Sequence, residues 1–273
     1  MTGTPSRITA RLDSLAGSGA RALVPFVTVG DTDLDTSRDV ILAAADAGAD
    51  IVELGVPFSD PIADGPVIQA SSQRALAAGS SLPRVLEMVA RLRERTEAAF
   101  MLFGYYNPFF RYGPVALAEA ARQAGVDAML CVDLPPEEAG PLAEACEQNA
   151  LDRIFLLAPT SDEQRIDVVR GMASGFVYFV SVTGVTGART AAPTGIRERV
   201  DRVREAIGLP VGVGFGISSP EQAVEVGAYA DLVVVGSALV RTIHEAGKAK
   251  AASACGNFVG SLRKALDKEY GAS

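Results

Sequence analysis

Glu53 lies within the apolar run Ile51-Val52-Glu53-Leu54-Gly55-Val56. An unpaired charge in such a run is costly, so the glutamate is either half of a salt bridge inside the fold or the reactive group of a site. Desolvation in either setting raises a carboxyl pKa. Asp64 follows between Ala63 and Gly65, on a segment stiffened by Pro57, Pro61 and Pro66. It reads either as a second working carboxylate or as an N-cap or Asx turn before a helix that begins after Pro66, and Asp60 has the same alternative. Two carboxylates in unlike surroundings can divide the labour, one as proton donor and one as stabilising anion.

Other acid and base groups are scarce. The only histidine is His244, and the lysines are Lys248, Lys250, Lys264 and Lys268, all close to the C-terminus. A Ser-His-Asp hydrolase and an imidazole-rich metal site are therefore excluded, as is an imine-forming lysine in the body of the chain. His244 is left with a surface or packing role. Cys131, Cys146 and Cys255 are widely spaced and odd in number, which fits buried small hydrophobes rather than a disulfide framework, a zinc site or a dithiol centre.

The 273 residues are 48% hydrophobic and 21% charged with a net charge of −8, the balance of a globular protein with a sizeable core. An acidic body repels phosphate backbones and anionic lipid, so neither nucleic acid nor membrane is an expected partner. The N-terminus lacks a long apolar segment and no stretch approaches a membrane span, so the expected location is cytoplasmic.

Short β-branched or aromatic runs alternate with longer Ala/Leu/Arg/Glu segments. The strands expected are 23–29, 50–56, 100–105, 128–132, 154–158, 176–182, 211–215 and 231–235. Eight such units predict an α/β fold, a single (β/α)8 TIM barrel spanning residues 1–273 as one domain. Ile8, Leu12 and Leu15 have helical spacing within 6–16, so an extra N-terminal helix covers one mouth. Ala47-Gly48-Ala49-Asp50, Ala124-Gly125-Val126-Asp127 and Gly227-Ala228-Tyr229-Ala230-Asp231 each read as a glycine that stops a helix ahead of a strand.

In such a barrel the chemistry gathers where strands end and βα loops begin. The small-residue stretch 183–195, after the sixth expected strand, reads as a mobile lid. Gly212-Val213-Gly214-Phe215-Gly216-Ile217-Ser218 ends the seventh strand and Val235-Gly236-Ser237-Ala238 the eighth. Backbone N–H groups there, at a helix N-terminus, suit a phosphate without any cation, and Gly187 in the lid could add another. The expected partner is thus a small-molecule phosphate. Arg111, Arg189 and Arg197 read as solvated charges.

The segments Leu23-Val24-Pro25-Phe26-Val27-Thr28-Val29-Gly30-Asp31, Glu53 through Pro66, Ser181-Val182-Thr183-Gly184-Val185-Thr186-Gly187 and Gly214-Phe215-Gly216-Ile217-Ser218 closely resemble the tryptophan synthase α subunit family, with the resemblance running from Ser6 to about Leu266. Val29 stands where alanine is common in that family, and the stretch from Tyr105 to Phe110 varies among members. The resemblance implies retro-aldol cleavage of indole-3-glycerol phosphate to indole and glyceraldehyde 3-phosphate, in the last steps of L-tryptophan biosynthesis.

By the same resemblance Glu53 is the acid and base, and Asp64 holds the indole N–H. Phe26, Ile68, Tyr105, Tyr178 and Thr186 border the substrate. Gly187, Gly214, Phe215, Gly216, Gly236 and Ser237 hold the phosphate. The resemblance also implies a β subunit partner in an α2β2 heterotetramer. Pyridoxal phosphate then belongs to that partner, and this chain carries neither cofactor nor metal. The alternatives are a stand-alone indole-3-glycerol-phosphate lyase and a non-catalytic activating subunit. Other phosphosugar barrels fit poorly, because the synthase of indole-glycerol phosphate needs barrel lysines, and the first strand offers the phosphoribosylanthranilate isomerase neither cysteine nor acid.

Overall fold

A computed structural model describes residues 6–180, 195–214 and 216–271. Thr186, Gly187, Arg189 and Phe215 lie outside the described residues, as does the expected lid apart from Gly195.

The described strands are β1 (Ala22–Thr28), β2 (Ile51–Gly55), β3 (Ala99–Gly104), β4 (Ala128–Cys131), β5 (Asp152–Ile154), β6 (Leu156–Leu157), β7 (Val177–Val180), β8 (Val211–Gly214) and β9 (Leu232–Val235). All pairings are parallel, in the order β5-β4-β3-β2-β1-β9-β8-β7-β6. The two ends of that order, β5 and β6, are consecutive in the chain and separated only by Phe155, so the sheet closes on itself. Tyr178 N–H donates to Phe155 O at 3.0 Å across the join.

The strand expected at 154–158 is therefore corrected to two short pieces. It breaks where pairing passes from β4 on one side to β7 on the other. The other described strands agree with expectation to within a residue or two.

Alternate residues of each strand face opposite ways. The outward set, including Leu23, Val52, Leu54, Phe100, Leu102, Phe179 and Val213, packs under the surrounding helices. The inward set, Val24, Ile51, Met101, Leu130, Ile154, Phe176, Leu232 and Val234, fills the barrel. Ile8, Leu12 and Leu15 of the helix Arg7–Ser18 join this interior cluster, so the extra N-terminal helix plugs one mouth as its spacing predicts. Ser6 caps it and Gly19, at φ +72°, ends it.

A repeated device pins the plugged end. Leu23 N–H donates to Asp50 Oδ2 at 2.7 Å, while Asp50 N–H donates back to Leu23 O at 3.0 Å. The same reciprocal pair joins Phe100 to Asp127 and Val211 to Asp231. Arg153 and Ser174 form a fourth, with a hydroxyl in place of the carboxylate. Alternate strands are thus stapled to their successors around the barrel.

Arginines complete the staples. Arg11 and Arg263 bind Asp50, Arg7 and Arg93 bind Asp127, and Arg204 binds Asp231. Gly48 and Gly125 take positive φ, +96° and +93°, as expected of helix stops. Gly227 does not. It is the last residue of the helix Pro220–Gly227, and a Cβ there would lie 2.8 Å from the Tyr270 ring, so close packing explains it.

Candidate active site

The open mouth gathers residues from six neighbouring strands, β3, β2, β1, β9, β8 and β7. Glu53 points inward from β2, with Phe26 of β1 and Met101 of β3 as its register partners. It is 1% exposed, and its Oε1 has no hydrogen-bond partner among the described residues. The alternative of an internal salt bridge fails, since no ion pair among the described residues involves it. Burial pushes its carboxyl up to about 8, and the charge of Asp64 pushes the same way.

Asp64 is half-buried at the end of the proline-stiffened loop. It does not cap the following helix, Pro66–Ala77, whose N-cap is Gly65. Its Oδ2 accepts a hydrogen bond from the Tyr105 hydroxyl at 3.0 Å. Burial raises the Asp64 carboxyl to about 6 against the opposing pull of that bond. Asp60 is exposed and bonded by the adjacent Ser59 hydroxyl, which removes it as a competitor.

Phe26 and Ile68 share a small apolar cluster with Val240, and Phe103 packs beside them, its ring 5.3 Å from that of Phe26 in edge-to-face geometry. Tyr105 is buried, and Phe58 lies 5.2 Å from its ring. Burial, and after it the charges of Glu53 and Asp64, hold the Tyr178 hydroxyl well above its ordinary pKa. Phe103 and Val240 escaped the sequence reading. Phe103 carried a usable signal, because it sits two residues before Tyr105 and so shares its strand face. Val240 carried none, because it reaches the cluster from the helix after β9.

Gly214 and Gly236 stand at the ends of neighbouring strands. Gly214 ends β8 in register with Val234 of β9, two residues before Gly236. A Cβ on Gly214 would stand 2.2 Å from the Tyr178 hydroxyl, and one on Gly236 would stand 3.8 Å from Phe26 Cβ. Gly216 takes φ +55°. Gly236 precedes the helix Ser237–Ala246, whose first turn has no side-chain cap and presents its N–H groups. His244, Arg111 and Arg197 are exposed. Cys146 and Cys255 are buried as expected, whereas Cys131 is only partly buried and lies 3.5 Å from Asp133.

Two unequal carboxyls, an apolar slot and a platform of backbone donors thus share one mouth. The sequence profile described as "Tryptophan synthase alpha chain" matches residues 12–266. The chain belongs to the tryptophan synthase alpha chain family. The alpha chain of Geobacter sp. (strain M21) is 56% identical, over 96% of this chain and 98% of that one. That of Geobacter sulfurreducens is 52% identical, over 96% and 99%.

Among solved structures, the tryptophan synthase subunit alpha of Legionella pneumophila str. Paris is 35% identical with a TM-score of 0.90, covering 97% of this chain and all of that one. Mycobacterium tuberculosis tryptophan synthase in space group F222 gives 35% and 0.88, covering 96% and 99%. As a tryptophan synthase alpha chain, the protein is a lyase of tryptophan biosynthesis that cleaves indole-3-glycerol phosphate by a retro-aldol reaction. Phe26 links the two halves of the mouth, being paired with Glu53 on one side and adjacent to Gly236 on the other.

Proposed function

We propose that Glu53 is the acid and base of the cleavage and that Asp64 is its fixed anion. The observation that carries this reading is the unequal pair itself. Between about pH 6 and about 8, Glu53 holds a proton while Asp64 is ionised. Protonated Glu53 delivers its proton to indole C3, and the positive charge that spreads to the ring nitrogen is met by the Asp64 carboxylate, which accepts the N–H. The Glu53 carboxylate then takes the proton of the hydroxyl on the carbon joined to C3. That carbon becomes a carbonyl, the C–C bond breaks, and its electron pair neutralises the ring. Indole and glyceraldehyde 3-phosphate leave, and Glu53 is again protonated.

Phe26, Ile68, Tyr105, Tyr178 and Thr186 border the organic part of the substrate. Gly187, Gly214, Phe215, Gly216, Gly236 and Ser237 hold the phosphate. The uncapped helix start at Gly236 supports this assignment, since it offers N–H groups and the positive end of a helix dipole to an anion. The chain works as one barrel domain over residues 1–273, in the cytoplasm and without a cofactor or metal of its own. No helix among the described residues is long and apolar enough to cross a membrane.

The partner is a β subunit carrying pyridoxal phosphate, in an α2β2 assembly. Two of the large exposed hydrophobics, Ile62 and Phe110, support a docked partner, because they stand beside the mouth on the loop that carries Asp64 and on the helix that follows Tyr105. The test is indole release from indole-3-glycerol phosphate with and without a β subunit. Slow release strongly accelerated by the partner is expected. Fast release alone would make the chain a stand-alone lyase, and none in either condition would overturn catalysis.

A further inference from the structure

Tyr105 does more at this mouth than border it. Its single phenolic oxygen engages two adjacent residues of the loop, donating to Asp64 Oδ2 at 3.0 Å and accepting the Ala63 N–H at 3.0 Å. The residue is 3% exposed, and its ring packs against Phe58, near the start of the same loop. The tyrosine stands at the end of β3, as N-cap residue of the helix Tyr106–Tyr112, so its own backbone is fixed by the barrel. The loop is thereby tied at Phe58, Ala63 and Asp64 to one side chain 41 residues away from Asp64 in sequence.

We propose that Tyr105 is a positioning residue for the cleavage, which orients the Asp64 carboxylate toward the indole N–H through its hydroxyl while fixing the loop that carries it. The proposal rests on the reading of Asp64 as the anion that meets the indole nitrogen.

A hydroxyl that donates to a carboxylate favours its charged form. The titratable groups that act with Tyr105 around this carboxylate are Glu53 on β2 and Tyr178 on β7, and the charge of Asp133 acts on Tyr105 itself. Neither tyrosine ionises in the working range, because burial and these acidic neighbours hold both hydroxyls above their ordinary values. Glu53 is protonated below about 8. Asp64 is therefore the group whose ionisation sets the acid side, and Tyr105 is the donor that stabilises its ionised form.

The test is Tyr105→Phe, which keeps the ring and removes the hydroxyl. Carboxyl titration by infrared difference or 13C spectroscopy, with Asp64→Asn to assign the signal, reads Asp64 directly in the unliganded chain. The expected result is a rise in the Asp64 pKa of about one unit, with the acid limb of kcat/KM moving up by the same amount. A fall in kcat of about tenfold should exceed any change in KM.

An unchanged Asp64 titration would overturn the proposal, as would a shifted titration with kcat and the acid limb unmoved. Full activity in Asp64→Asn would instead refute the role of Asp64 itself and take the proposal with it. The two failures are distinct, since the first is read from the carboxyl signal and needs no turnover.

Discussion

The negative charge of Asp64 reaches Glu53 and, second to burial, helps keep the glutamate protonated. The two residues lie at the end of different structural constraints, Glu53 on a barrel strand and Asp64 on a loop tied to Tyr105. Because Glu53 feels Asp64, ionising the aspartate first makes the glutamate a better-retained acid, and the protons leave in a fixed order.

That order predicts a bell-shaped pH profile for indole release. Activity should rise through about pH 6 as Asp64 ionises and fall through about pH 8 as Glu53 loses the proton it must donate. Steady-state rates from pH 5 to pH 9.5 check this. A profile flat over that whole range would contradict the assignment of Glu53 and Asp64 as the working pair.

Glu53→Gln keeps the size of the side chain and removes the proton shuttle. Cleavage should fall by about 10²–10⁴-fold, the usual weight of a positioned acid and base. Binding of a phosphate-bearing substrate analogue, followed calorimetrically, should stay within a few-fold of the unaltered protein. Near-normal turnover would remove Glu53 from the mechanism.

The same substitution has a stability signature. A carboxyl whose folded pKa is raised from 4.5 to about 8 binds its proton more tightly in the folded state. The folded protein therefore loses stability as pH climbs between those values, at about 1.4 kcal/mol for each unit of difference. Glu53→Gln removes that loss, so its melting temperature should exceed that of the unaltered protein at pH 9. The gap should shrink steadily toward pH 5. Melting curves across this range decide it, and a gap that is constant with pH would contradict the burial of a neutral glutamate.

At the plugged mouth, Asp127 is 1% exposed, accepts the Phe100 N–H at 2.9 Å and binds Arg93 at 2.8 Å. Asp127→Ala leaves an N–H without its acceptor and a largely buried guanidinium without its anion. A loss of about 3–5 kcal/mol is expected from urea unfolding. Because this end of the barrel faces away from Glu53, kcat/KM measured well below the transition should be unchanged.

Gly214→Ala sets a methyl group 2.2 Å from the Tyr178 hydroxyl, so the tyrosine must move. Overpacking of this kind costs about 1–3 kcal/mol, and here it also disturbs the donor platform beside Gly236. Activity should fall with a raised KM. Adding Tyr178→Phe removes the closest atom and leaves the ring carbon at 3.0 Å, so the double variant should recover part of the loss. No recovery would mean that the glycine acts through its backbone alone.

The barrel was legible in the sequence because its evidence is local. Runs such as Leu23 to Val27 and Leu232 to Val235 are apolar on both faces, as parallel strands covered inside and outside must be, and Ile8, Leu12 and Leu15 announce a helix by spacing alone. Glu53 stood out for the same reason, since a charge in an apolar strand is anomalous without any knowledge of its neighbours. The helix stops at Gly48 and Gly125 were readable because the left-handed conformation is a property of the residue itself.

What the tertiary structure alone decided are relations set by register and closure. The break at Phe155 falls where the ladder to β4 ends and the ladder to β7 begins, a meeting point set by the stagger of the two neighbours. Ser174 joins three aspartates in the same stapling role because its position, rather than its charge, is repeated. Asp64 keeps a helix cap as an open alternative until Tyr105, brought alongside by the neighbouring end of β3, takes its carboxylate. Spacing along a chain encodes which way a side chain points from its own element. Which distant side chain it then meets depends on how the strands are staggered around the closed barrel, and no local pattern records that.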